Sequence, residues 1–295
     1  GQPSREFIDK NMATKPKKHV FAVTPQKTQP TTKSLADSVS TALQNHFLLS
    51  PKDRIVNSKA AAEKLVPYVG RGGDGNVKPF LTMNAKLEKA SAGYEGAAPL
   101  SLEEGTGVKT IGLPMSPAYQ HGKFKLCPNS AACKENCLGE HSGNYANKDW
   151  WPQQNSINKT HAFLSEPGAL AVHLNNEIAK EKMISQMEGN RLAVRMNVLS
   201  DIDPRVWKPL IDAHPDVDFY DYTKMLNRKV NNIKNYHLTF SAADGNDNDV
   251  LKAFEQGYNV AMVFSIKKKF NMITEYMGKD RKSTRLNSSH GYISY

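Results

Sequence analysis

The chain has 295 residues, 39% of them apolar with tyrosine counted, and a formal net charge of +10. That allows one large domain or two modest ones and excludes a wholly disordered polymer. No apolar run reaches the ~18 residues of a membrane span, the polar start from Gly1 to Lys18 has no signal-peptide core, and three cysteines are too few for a disulfide scaffold.

In chain order, residues 1–33 come first. They are rich in Lys, Pro, Thr and Gln and hold seven Lys or Arg against two carboxylates. Such a stretch cannot bury enough apolar surface to offset its ordering entropy, so it reads as a disordered basic arm. It carries +5 of the net charge, residues 280–295 carry +2, and residues 34–279 carry only +3. The charge therefore supports weak nucleic-acid binding through the arm. A solvated tail is the plainer reading.

Residues 34–78 read as a small helical region. Ser34 is the expected N-cap, with Asp37 three residues on. Leu35, Val39, Leu43 and Phe47 then recur at helical spacing, and a second helix is expected from Ser58 through Leu65. The glycine run from Gly70 to Gly75 lacks the Gly-Lys-Ser/Thr ending of a phosphate loop and reads as punctuation.

Residues 79–279 read as an α/β domain. Leu81 and Met83 suggest a short strand. Strands follow at 108–113, 192–199, 217–222, 236–241 and 259–264. Helices are expected at 158–164, 168–187, 204–213 and 247–256. This alternation predicts a mostly parallel sheet from βα repeats. Five strands are too few for an eight-fold barrel, so the expected architecture is partial or truncated and barrel-like. In such folds chemistry collects at the carboxyl ends of the strands.

Residues 280–290 spell DRKSTRLNSSH, the translation of a common short-read sequencing adapter, and Ile293–Tyr295 continue the same frame. Residues 280–295 are therefore read as a non-native, adapter-derived tail. The natural sequence is expected to continue past Lys279.

All three cysteines, Cys127, Cys133 and Cys137, fall in one short loop after the first strand, spaced C-x5-C-x3-C. An intracellular thiol cluster this tight points to metal. Lys125 and Lys134 beside it favour the thiolate forms. If His141 supplies a fourth ligand, the site is a closed Cys3His zinc site resembling RNA-binding zinc fingers. If it does not, an iron–sulfur cluster keeps one open iron. That is the arrangement of radical S-adenosylmethionine (SAM) enzymes, although their usual C-x3-C-x2-C spacing differs.

Several segments then come together: CPNSAACKENCLG (127–139), NKTHAF (158–163), RMNVLSDI (195–202), PDVDFYDYTK (215–224) and NYHLTFS (235–241). As an ordered set they resemble the uncharacterised bacteriophage gene product 88 family, which also occurs within large phage polyproteins. The resemblance implies a phage or prophage origin and a cysteine-bearing α/β domain. It implies no known reaction.

The polar residues at the strand ends complete the reading. Arg195 and Asn197 share one face of an apolar strand and must be satisfied there. Asp201 and Lys224 are the candidate catalytic residues; Arg195, Asn197, Tyr222 and Ser241 are candidates for substrate binding. Asp203 is assigned to capping the helix at Pro204. Asp221 is a possible structural ion-pair partner of Arg195. The expected function is a phage-encoded metalloprotein, an iron–sulfur, radical SAM-like enzyme or another metal-dependent enzyme. The alternatives are a nucleic-acid-binding module with structural zinc, and a non-catalytic virion or injected protein. The expected location is the infected host cytoplasm or the virion, with no membrane association.

Overall fold

The structure is a computed structural model. It describes residues 30–83, 87, 107–117, 125–130, 137, 151–228, 232–243, 245–262, 275–276 and 279–280. The expected basic arm, and the segments holding Cys133 and His141, lie outside the described residues.

Helix α1 (Thr32–Leu48) starts three residues earlier than expected. Its N-cap is Thr31, and Ser34 is the reciprocal partner in a capping box rather than the cap. Leu35, Val39 and Leu43 are buried as the spacing predicts, but the fourth buried position is His46, and Phe47 is exposed. Helix α2 (Pro51–Val69) is capped by Ser50 and runs past Pro67. A proline costs one backbone donor. This late in a helix the final bond, Gly70 N to Val66 O, still forms.

Strand β1 (Gly107–Gly112) leads to helices α3 (Trp151–Ser165) and α4 (Pro167–Met187) and strand β2 (Asn190–Arg195). A 3-10 turn (Pro204–Val206) and helix α5 (Lys208–Asp212) precede strand β3 (Asp218–Thr223). The expected single helix at 204–213 is split because Pro209 has no N–H to carry the hydrogen-bond ladder through. Strand β4 (Tyr236–Ser241), helix α6 (Asp247–Glu255) and strand β5 (Asn259–Ala261) follow. Glu275–Tyr276 and Lys279–Asp280 form a two-residue antiparallel pair, its second strand ending on the first residue of the segment read as adapter-derived.

The main sheet is all parallel in the order β1-β2-β3-β4-β5. It is open, not closed into a barrel. Strands laid side by side in sequence, joined by crossovers of one hand, put every crossover on one face. The side chains agree. Leu192, Val194, Phe219, Tyr236 and Leu238 point into one core with Leu170, Leu174 and Ile178 of α4 and Trp207 and Leu210. Phe240 and Val260 meet Val250 and Ala253 of α6 on the same side. Leu35, Val39, Leu43 and Leu65 of the N-terminal helices join the larger core.

The β1 edge is covered by the segment before it. Thr82 bridges Gly112 in antiparallel fashion, where the sequence suggests a strand. Glu177 of α4 accepts the Phe80 and Leu81 amides, both at 2.8 Å. Lys159 of α3 donates to the Phe80 carbonyl at 2.7 Å. Lys159 is almost wholly buried, and that desolvation brings its pKa down to about 8 against the opposing pull of Glu177. Thr160 accepts the Ser116 amide at 2.9 Å, so α3 holds both flanks of β1.

Candidate functional site

The site begins where β2 stops. The sequence predicts a strand through Leu199, but β2 ends at Arg195 because Asn197 turns the chain. The Asn197 amide donates to Asp221 Oδ1 at 2.6 Å, and its Nδ2 donates to Asp221 Oδ2 and the Ile202 carbonyl. Its Oδ1 accepts Ser200 Oγ and the Ile202 amide, both at 2.9 Å. Residues 197–202 are thus wound around one side chain. Asn197 therefore leaves the face it was expected to share with Arg195.

Asp221 is buried beneath this turn and also accepts Tyr236 Oη at 2.8 Å. Desolvation pushes its pKa up to about 7, opposed by the Arg195 charge and by the hydrogen bonds from Asn197 and Tyr236. Burial, and then the Asp221 charge, drives the Tyr236 hydroxyl well above the usual tyrosine range. Asp221 takes hydrogen bonds from Asn197 and Tyr236 rather than from Arg195.

The turn presents Asp201 to the end of β3. Its carboxylate accepts Thr223 Oγ1 at 2.9 and 3.1 Å, the Lys224 amide at 3.0 Å and Arg228 Nη2 at 3.5 Å. Arg228 also donates to the Asp201 carbonyl and pairs with Asp203 at 3.1 Å. Asp203 caps the turn at Pro204 as expected, accepting the Arg205 amide at 2.9 Å. Burial works to raise the Asp203 pKa, but hydrogen bonds from Arg205 and the charge of Arg228 outweigh it and hold the group low.

The cysteine loop docks on this layer. The Asp201 amide donates to the Leu126 carbonyl at 3.0 Å. Cys127 Sγ lies 3.5 Å from the Leu199 carbonyl, and Asn129 Nδ2 donates to the Lys224 carbonyl at 3.0 Å. Of the four neighbouring strand ends expected to converge, three are tied together by hydrogen bonds: the loop after β1 and the ends of β2 and β3. Cys127 and Cys137 are both half-buried. Among the described residues, no group of three His, Cys, Asp or Glu is placed to hold a metal.

The opposite face of the sheet lies away from α3 to α6, and at its β1 end the helical residue Leu87 stands against Gly112. Arg195 sits there with its Cζ 4.9 Å from the Tyr222 ring centroid. Tyr220 lies two residues back, its ring 6.5 Å from that of Tyr222. Thr239 and Ser241 of β4 lie on the same side, both half-buried. Among the described residues, no hydrogen bond ties the Ser241 hydroxyl to the Asp201 layer.

Sequence reasoning missed Arg228, Tyr236 and Asn129. Arg228 stands in the β3–β4 connection with no periodic pattern to mark it. Tyr236 reads as one more apolar strand residue, and nothing in the spacing shows that its hydroxyl ends on Asp221.

An open, singly wound parallel sheet with helices, its polar loops gathered at the carboxyl ends of the strands, defines an α/β protein. The family model described as Gene product 88 matches residues 79–292. The chain belongs to the phage gene product 88 family. The match takes in every strand of the sheet and the cysteine loop, and it extends into the segment read as adapter-derived. No curated protein and no solved structure matches the chain. No helix among the described residues is long and apolar enough to cross a membrane.

Proposed function

We propose that this chain is a metal-dependent enzyme whose Cys127, Cys133 and Cys137 hold an iron–sulfur cluster at the carboxyl ends of β1, β2 and β3. One observation carries the reading: the loop bearing Cys127 is fastened to the Asp201 turn and to the end of β3. These bonds hold Cys127 at the carboxyl ends of the strands, where polar loops gather in parallel sheets. The donor set fits the group, since thiolates are the usual ligands of iron–sulfur clusters, and three of them leave one iron open. When bound, such a cluster supplies electrons for SAM-dependent radical chemistry.

The chain's own residues have separable parts in this reading. Asp201 orients the cysteine loop and the end of β3. Lys224, half-buried at that end, offers an ammonium group to an anionic ligand or to proton transfer. Arg195, Tyr222 and Ser241 line the adjoining sheet face, and Asn197 fixes the turn.

The test is a visible spectrum with acid-labile sulfide on protein purified without oxygen. The expected result is iron with sulfide and an absorbance that is lost in Cys133→Ala. Zinc without sulfide, lost in His141→Ala, overturns this reading in favour of a closed Cys3His site.

A further inference from the structure

We propose that the sheet face opposite α4 binds an oxyanion, a carboxylate or phosphate group, through the two Nη donors of Arg195 and the hydroxyl of Tyr220. This deepens the preceding reading and rests on its assignment of that face to the substrate.

Arg195 carries the inference. It is only 9% exposed, yet its one hydrogen bond among the described residues is Nε to the Asn197 carbonyl at 3.1 Å. Neither Nη atom has a hydrogen-bond partner there. Buried cations are ordinarily paired, because an unpaired charge held away from water is costly. The Arg195 charge acts on Asp221, but the oxygens of that carboxylate are engaged by Asn197 and Tyr236.

The neighbouring rings define the geometry. Tyr222 stands against the guanidinium at 4.9 Å and so fixes where the fork lies. Tyr220 is on the same strand face and half-buried, and the Arg195 charge reaches its hydroxyl. That hydroxyl has no hydrogen-bond partner among the described residues. A guanidinium fork beside a free hydroxyl matches two oxygens of a carboxylate or phosphate. If Arg195 served only to brace Tyr222, the paired Nη donors would have no ligand to meet and no anion would bind.

The experiment is calorimetric titration of the full chain with inorganic phosphate and, separately, with acetate, at constant ionic strength. Saturable one-to-one binding of at least one anion is expected, weakened about tenfold in Arg195→Lys, which keeps the charge and loses the fork. Tyr220→Phe removes one hydroxyl and is expected to weaken binding about threefold with an unchanged melting temperature. Phosphate binding alone assigns a phosphate group, acetate binding alone a carboxylate. No saturable heat with either anion, or affinities unchanged in both variants, overturns the proposal. Metal analysis of the same preparation keeps the two readings apart: a loaded cluster without anion binding removes only this inference, and anion binding without metal removes only the other.

Discussion

Asn197 shows how much of the site hangs on one side chain. It satisfies Ser200, Ile202 and Asp221 together, all of them buried or nearly so. Replacing it with alanine strands those groups, so Asn197→Ala should cost about 2–4 kcal/mol in urea unfolding. A loss under about 1 kcal/mol would show that the turn does not depend on it. Asp221 makes a separate, pH-dependent prediction. Its folded pKa of about 7 is raised from 3.8, so the folded state binds the extra proton. Its contribution is complete below pH 3.8 and declines as pH rises through about 7. His214 works the other way, since burial lowers it to about 4 and its contribution declines as pH falls from 6.5. The difference between wild type and Asp221→Asn isolates the aspartate. That difference should shift steadily in favour of the variant between pH 5 and pH 8, measured by urea unfolding at both. A difference independent of pH would contradict the buried assignment. At this scale the sequence showed that Arg195 and Asn197 were out of place in an apolar run and that Asp203 was a cap. It did not show that they part company after β2, because a two-residue period holds only while the strand lasts.

Among the elements, α3 and α4 do more than cover the sheet. Through Lys159 and Glu177 they fasten Phe80 and Leu81 beside the β1 edge, which Thr82 pairs and which would otherwise present unpaired backbone groups. Glu177→Ala removes the acceptor for two backbone amides and should destabilise the fold by about 2–4 kcal/mol. Glu177→Gln keeps one acceptor oxygen and should cost less, and equal losses in the two would contradict the clamp. Gly112 is tight for a different reason. A Cβ there would meet Val198 Cγ2 at 2.4 Å and the Arg195 carbonyl at 2.9 Å. Gly112→Ala should therefore cost about 1–3 kcal/mol by thermal unfolding, and a neutral result would mean that the turn after β2 gives way easily. The elements themselves were legible. The five strands of the sheet and most helices followed from periodicity, and β4 was bounded to the residue. The misplaced boundaries have local causes: a capping box one turn upstream at Thr31, a proline inside α2, and another proline that splits the segment after Asp203.

For the whole molecule, the strand order is the informative fact. A sheet wound in one direction places α3 to α6 on one face and lines the other with Arg195, Tyr220, Tyr222, Thr239 and Ser241. The carboxyl ends of β2 and β3 come together with the cysteine loop because each follows its neighbour in space as in sequence. The βα alternation made that convergence legible in advance. The hydrogen bonds that fasten the loop were not legible, because they join backbone groups far apart in the chain. The direct measurement is iron, zinc and sulfide per chain in protein purified without oxygen, beside Cys127→Ala. We predict iron with matching sulfide in the wild type and neither in the variant. Metal-free wild-type protein, or an equal metal content in Cys127→Ala, would contradict a metal centre at this mouth.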